Sequence, residues 1–150
     1  MDKIDEQILQ ILSKNARAKA SDISQQVGLS PSAVIDRMRR MEERGVIASY
    51  IVQLNYDALG YGIRAWLHVQ LEHAKHAESF VAGVQHMPGL LSCDYLTGEF
   101  DFLLQALVRS THELDELHRK ISSTEGVAAV KTHVVLREIE CAAVIKPENQ

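Results

Sequence analysis

Within four residues, Gly28-Leu29-Ser30-Pro31, the sequence stops one helix and starts the next. Glycine accepts the positive φ found at helix C-termini, and serine offers an N-cap acceptor. Proline at the first helical position lacks only an N–H that had no partner there. So tight a junction makes the two helices a helix-turn-helix, and the flanking elements have to fit it. Upstream, Ile4, Ile8, Ile11 and Leu12 recur at helical spacing among Asp5, Glu6, Gln7 and Lys14, which predicts a first helix to about Lys14. Ser21 is placed to cap a short second helix with Ile23 and Val27 on one face. The third helix puts Val34, Met38 and Met41 on a buried face and ends at Gly45, while Ala33, Arg37, Arg40 and Arg44 line another.

After Gly45 the periodicity changes. Val46–Leu54 reads as a strand, and Asn55 to Gly62 mixes turn formers with two glycines, which marks a linker. Beyond it the pattern predicts strand 63–72, helix 75–87, strands 90–97 and 100–109, helix 111–124 and strand 127–139, with Ser110 and Glu113 as a capping box. Pro88-Gly89-Leu90-Leu91 echoes Glu125-Gly126-Val127-Ala128, each ending a helix and opening a strand. The order βαββαβ is the ferredoxin-like one. The expected fold is therefore α+β, a (winged) helix-turn-helix domain over 1–54, a linker over 55–62 and a ferredoxin-like domain over 63–150. A sheet with helices on one face needs cover on the other, so a homo-oligomer follows.

Hydrophobic content of 46% with 24% charged residues in 150 is that of a folded chain. The acidic, helix-like start lacks a secretion signal, and no stretch is long and apolar enough for a bilayer, so a cytoplasmic protein without a membrane partner is expected. Cys93 and Cys141 lie far apart in apolar runs and read as buried free thiols. The net charge of −4 hides an asymmetry, since residues 1–54 carry +1 and the remainder −5. Any nucleic-acid surface must be local.

Signatures of catalysis are missing. Gly60-Tyr61-Gly62-Ile63-Arg64-Ala65 fits G-x-G-x-x-A but precedes a strand instead of opening a helix, so it cannot cradle a phosphate. All seven histidines follow residue 67; His73 and His76 could face each other, yet no ligand set with zinc spacing accompanies them and they read as solvated. No nucleophile elbow or H-E-x-x-H is present. Hence no enzyme, no metal and no cofactor are expected. The arginine stripe alone would read as a solvated face paired with Asp36, Glu42 and Glu43. It gains weight because its helix is the second of a helix-turn-helix, begins with the small residues Ser30, Pro31, Ser32 and Ala33, and would present that end to base edges of double-stranded DNA. Gly98 to Asp101 reads as a hairpin turn between two central strands, with Asp101 serving an edge. Backbone N–H groups around Gly98 and Glu99 could also receive a carboxylate while Asp101 answers an ammonium.

Gly28-Leu29-Ser30-Pro31-Ser32-Ala33, the run Arg37 to Ile47 and Ile4-Asp5-Glu6-Gln7-Ile8-Leu9 resemble the DNA-reading segment of the Lrp/AsnC (feast/famine) regulators. Met87-Pro88-Gly89, Thr97-Gly98-Glu99-Phe100-Asp101-Phe102-Leu103-Leu104, Gly126-Val127 and Thr132 to Leu136 resemble that family's amino-acid-binding domain in the same order. Two positions depart from the pattern: Glu140 stands where many members carry lysine, and Val34-Ile35 replace a common Cys-Leu. The resemblance implies a transcription regulator reading DNA with Ser30, Pro31, Ser32, Ala33, Arg37, Arg40 and Arg44. It implies an amino-acid effector between subunits beside Thr97, Gly98, Glu99 and Asp101, and dimers joined into a closed octamer. Two other functions fit this fold. One is a tetrapyrrole decarboxylase, which would colour the purified protein; the other is a co-regulator that oligomerises without touching DNA, which a gel shift separates.

Overall fold

Three helices build the first of two units: α1 (Lys3–Lys14), α2 (Ala20–Val27) and α3 (Pro31–Glu43). The computed structural model describes residues 1–139, divided into Met1–Leu54 and residues 55–139. Asp2 caps α1 by accepting the N–H groups of Ile4 and Asp5, and the Asp5 carboxylate accepts the Asp2 N–H, a reciprocal box. Gly28 ends α2 at φ 71°, donating to the Ser24 carbonyl, and Ser30 accepts the Ala33 N–H to open α3. Ile8, Leu12, Ile23, Val34 and Met41 form the core of this unit.

Two local expectations need correction here. Ser21 does not cap α2: the Lys19 carbonyl already takes the first helical N–H groups, those of Asp22 and Ile23, so Ser21 lies inside the first turn with its hydroxyl on Asp22. Val46–Leu54 forms no strand within the chain. Among the described residues its unit holds only helices, so these N–H and C=O groups have no ladder there to join. Ile51 and Val52 stay 78% and 79% exposed.

The second unit is a four-stranded antiparallel sheet of β1 (Ile63–Leu71), β2 (Leu90–Tyr95), β3 (Phe102–Val108) and β4 (Val127–Val134), in the order β2-β3-β1-β4. Helices α4 (Ala77–Val84) and α5 (Thr111–Ser122) follow β1 and β3. This is the expected βαββαβ topology. Strand alternation sends Ala65, Leu67, Val69, Phe102, Leu104 and Ala106 toward Phe80, Val84, Leu114, Leu117 and Ile121 of the helices. The opposite face, away from α4 and α5, carries Trp66, His68, Leu103, Leu107 and His133.

Details of this unit differ from the sequence reading. The helix expected over 75–87 begins as a 3₁₀ turn, Ala74–His76, and ends at Val84. β4 stops at Val134, and β2 is an edge strand, so the Gly98 turn joins an edge strand to a central one. Ser110 accepts the Glu113 N–H as expected, but the Glu113 carboxylate takes the Arg109 N–H at 2.8 Å, one residue before the box position. Glu140 and Cys141 lie outside the described residues.

Candidate functional site

Ser30, Pro31 and Ser32 are exposed at the start of α3, and the Ser30 and Ser32 hydroxyls lie 3.1 Å apart. Successive residues turn by about 100°, so with Val34 and Met41 facing the core the outward stripe is Ser32, Ile35, Asp36, Arg39, Arg40 and Glu43. Arg40 is exposed, with its Nε donating to the Asp36 carbonyl at 3.3 Å; Arg44 is exposed at the C-cap. Ala33 and Arg37 sit at the half-buried margin instead. There the Arg37 guanidinium donates to Asp2 and Asp5 of the α1 capping box, both at 2.7 Å. Arg37 thus ties the start of α1 to α3, an occupation the sequence reading did not assign to it. Asp2 is held below its ordinary value by the Asp5 N–H and by Arg37, and Arg37 is raised in return by Asp5 and Asp2.

Sequence reasoning missed two residues of the exposed stripe. Arg39 pairs with Asp36 at 2.7 Å and Glu43 at 3.9 Å, while Ile35 is 56% exposed at the reading end. An apolar side chain on that face suits a thymine methyl. The available signal was angular: Ile35 and Arg39 lie on the side opposite Val34 and Met41, whereas Ala33 and Arg37 do not.

In the second unit, Thr97, Gly98 and Glu99 are exposed in the turn between β2 and β3, with Gly98 at φ 117°. Asp101 is half-buried; its N–H donates to the Val69 carbonyl at 2.9 Å and its Oδ2 accepts the Leu71 N–H at 2.7 Å. Asp101 therefore serves the end of β1, a central strand, and not a sheet edge. Glu99 meets Lys131 at 3.4 Å, and the Lys131 ammonium lies 4.9 Å from the centre of the Phe100 ring. The turn thus joins exposed backbone to carboxylates and one cation.

His73 and His76 face each other with ring centres 6.4 Å apart, and among the described residues no group of three ligands is placed to hold a metal ion. Cys93 is a half-buried free thiol, pushed up by burial and by Asp94 beside it. No described helix is long and apolar enough to cross a membrane.

A helix-turn-helix with an exposed reading helix, together with a separate βαββαβ unit bearing a glycine turn, defines a DNA-binding regulator with a ligand domain. Residues 64–145 match the Lrp/AsnC ligand binding domain, and residues 1–48 match a winged helix-turn-helix DNA-binding domain. The chain is 32% identical to the leucine-responsive regulatory protein of Rhizobium meliloti, covering 97% of this chain and 96% of that protein. It is 30% identical to an HTH-type transcriptional regulator of Pyrococcus furiosus, covering 91% and 90%. The fold matches a Neisseria meningitidis transcriptional regulator solved as an L-Met complex, with TM-score 0.89 and 32% identity over 97% of this chain and 96% of that one. The chain belongs to the Lrp/AsnC family of DNA-binding transcription regulators.

Proposed function

We propose that the chain reads paired DNA half-sites as a homo-oligomer and that a free amino acid, held beside Thr97, Gly98, Glu99 and Asp101, changes its assembly. The observation that carries the DNA half is the exposed start of α3, where Ser30, Pro31 and Ser32 leave room for base edges and Arg40 and Arg44 extend to the duplex. Ala33 and Arg37 join this surface from its margin. The effector half is supported by the exposed backbone around Gly98 and Glu99, which suits a carboxylate, and by Asp101, which suits an ammonium. The structure of a relative as an L-Met complex agrees with that ligand class. The chain works without a cofactor and performs no catalytic step, in the cytoplasm beside chromosomal DNA. A thermal-shift screen of the twenty amino acids, followed by calorimetry of the best ligand, tests the effector reading. The parent binds, and Asp101→Ala binds at least tenfold more weakly while its gel shift with promoter DNA is kept. No shift by any amino acid would leave the domain an assembly module only.

A further inference from the structure

Of the large apolar side chains on α3, Val34, Met38 and Met41 pack into the core of the first unit, and Ile35 stands outside it. A single exposed apolar residue is common on protein surfaces and means little by itself. The place of this one gives it weight. Ile35 is the fifth residue of α3, about 6 Å along the axis from Pro31, at the end that faces base edges. It shares a side of the helix with Ser32, three residues before it, and Arg39, four residues after it. Both neighbours are engaged within the chain: the Ser32 hydroxyl lies 3.1 Å from that of Ser30, and the Arg39 guanidinium meets Asp36 at 2.7 Å and Glu43 at 3.9 Å. Isoleucine is β-branched, so a helical backbone holds its χ1 in one favoured rotamer. Its methyl groups are therefore presented in a fixed direction at little entropic cost.

The major groove offers one apolar group on a base edge, the C5 methyl of thymine. Isoleucine has no donor or acceptor to replace the water taken from a cytosine amino group or a guanine oxygen, whereas it gains by burial against a methyl group. We infer that Ile35 is a specificity-determining residue, selecting thymine at one base pair of each half-site by packing on that methyl. The inference rests on the start of α3 being the reading surface. It divides the labour along the helix: the exposed arginines Arg40 and Arg44 supply attraction to the duplex, and Ile35 supplies discrimination between thymine and cytosine.

The test begins with duplexes enriched by the full chain from a random-sequence library. Each thymine of the enriched duplex is replaced in turn by deoxyuridine, which differs from it only by lacking the methyl. At one thymine per half-site the replacement weakens binding about three- to fivefold, roughly what burial of one methyl group is worth. Ile35→Ala keeps the parent melting temperature, because the side chain lies outside the core, and binds the thymine and deoxyuridine duplexes with equal affinity. A deoxyuridine penalty of the same size in Ile35→Ala, or a parent indifferent to every replacement, would overturn the role of Ile35 and leave α3 as the reading surface. Failure of the parent to enrich any sequence would overturn both.

Discussion

Arg37 and Arg40 stand three residues apart on α3 and are predicted to fail in different ways. Removing Arg37 leaves the Asp2 and Asp5 carboxylates close together without their shared cation, so Arg37→Ala lowers the melting temperature of the chain. Arg40→Ala leaves the melt unchanged and weakens DNA binding by about 1–3 kcal/mol if it contacts a base edge. A melt of Arg37→Ala that overlays the parent would show the ion pair to be idle. The pH dependence follows from Asp2, whose carboxyl is lowered by the Asp5 N–H and by Arg37. A lowered acid stabilises the fold fully above its ordinary value and loses that contribution as pH falls through the lowered one. The parent and Arg37→Ala melting temperatures should therefore converge in acid below about pH 4. Tyr50 gives a second residue-scale prediction at the alkaline end. Its hydroxyl donates to Glu42 at 2.7 Å, and burial followed by that carboxylate pushes the phenol up to about 12. The neutral phenol is favoured in the fold, so this contribution is complete below pH 10 and is lost as pH climbs through 12. Ultraviolet titration should show one tyrosine ionising late in the parent and earlier in Glu42→Gln; identical curves would break the link.

Gly126 shows how a single position fixes the passage from α5 to β4. It sits at φ +83°, and a Cβ there would collide with the His76 ring, so Gly126→Ala suffers both backbone strain of about 1–2 kcal/mol and a clash. Denaturant unfolding of Gly126→Ala and of the double variant with His76→Gly, which removes the His76 Cβ as well as its ring, separates the two. The second substitution should recover the clash and leave the strain, and a double variant no more stable than Gly126→Ala would remove His76 from the account. The partner position in the sequence echo, Gly89, is also at positive φ, 89°. Pro88-Gly89 and Glu125-Gly126 therefore mark the same helix-to-strand passage, as their likeness suggested. Such signals act within a few residues, and that is why the three first helices and the order βαββαβ were legible in the sequence. Glycine stops, serine caps and alternating strands each carry their own physical cause. What was not legible depends on partners remote in the chain. Nothing near Arg37 says that Asp2 and Asp5 arrive beside it, nothing in Val46–Leu54 says that its own unit provides no strand, and the half-buried margin of α3 appears only once the packing of α1 is known. At the glycine turn a structural role for Asp101 was legible, whereas its partner, the Leu71 N–H at the end of the central strand β1, required the sheet order.

Among the described residues two apolar surfaces are only partly covered, and at the scale of the molecule they point the same way. Trp66 and Leu103 are half-buried on the sheet face away from α4 and α5, while Ile51 and Val52 of the first unit carry large exposed side chains outside any described strand. The homo-oligomer proposed above would answer both needs at once, because a two-fold axis pairs each surface with itself. A dimer also matches the geometry of reading, in which two recognition helices meet half-sites about 34 Å apart. Leu103→Lys places a charge on the open sheet face without touching the helix-side core, so the variant should stay folded while its self-association weakens. Sedimentation at micromolar concentration should show the parent as a dimer or larger and Leu103→Lys shifted toward the monomer. Because each monomer then meets a single half-site, its affinity for a two-half-site promoter should fall by more than tenfold, with a shallower dependence on salt as fewer phosphates are engaged at once. Parent-like sedimentation of Leu103→Lys would take the open sheet face out of the assembly, and a monomeric parent that still binds paired half-sites with full affinity would remove the dimer from the reading mechanism.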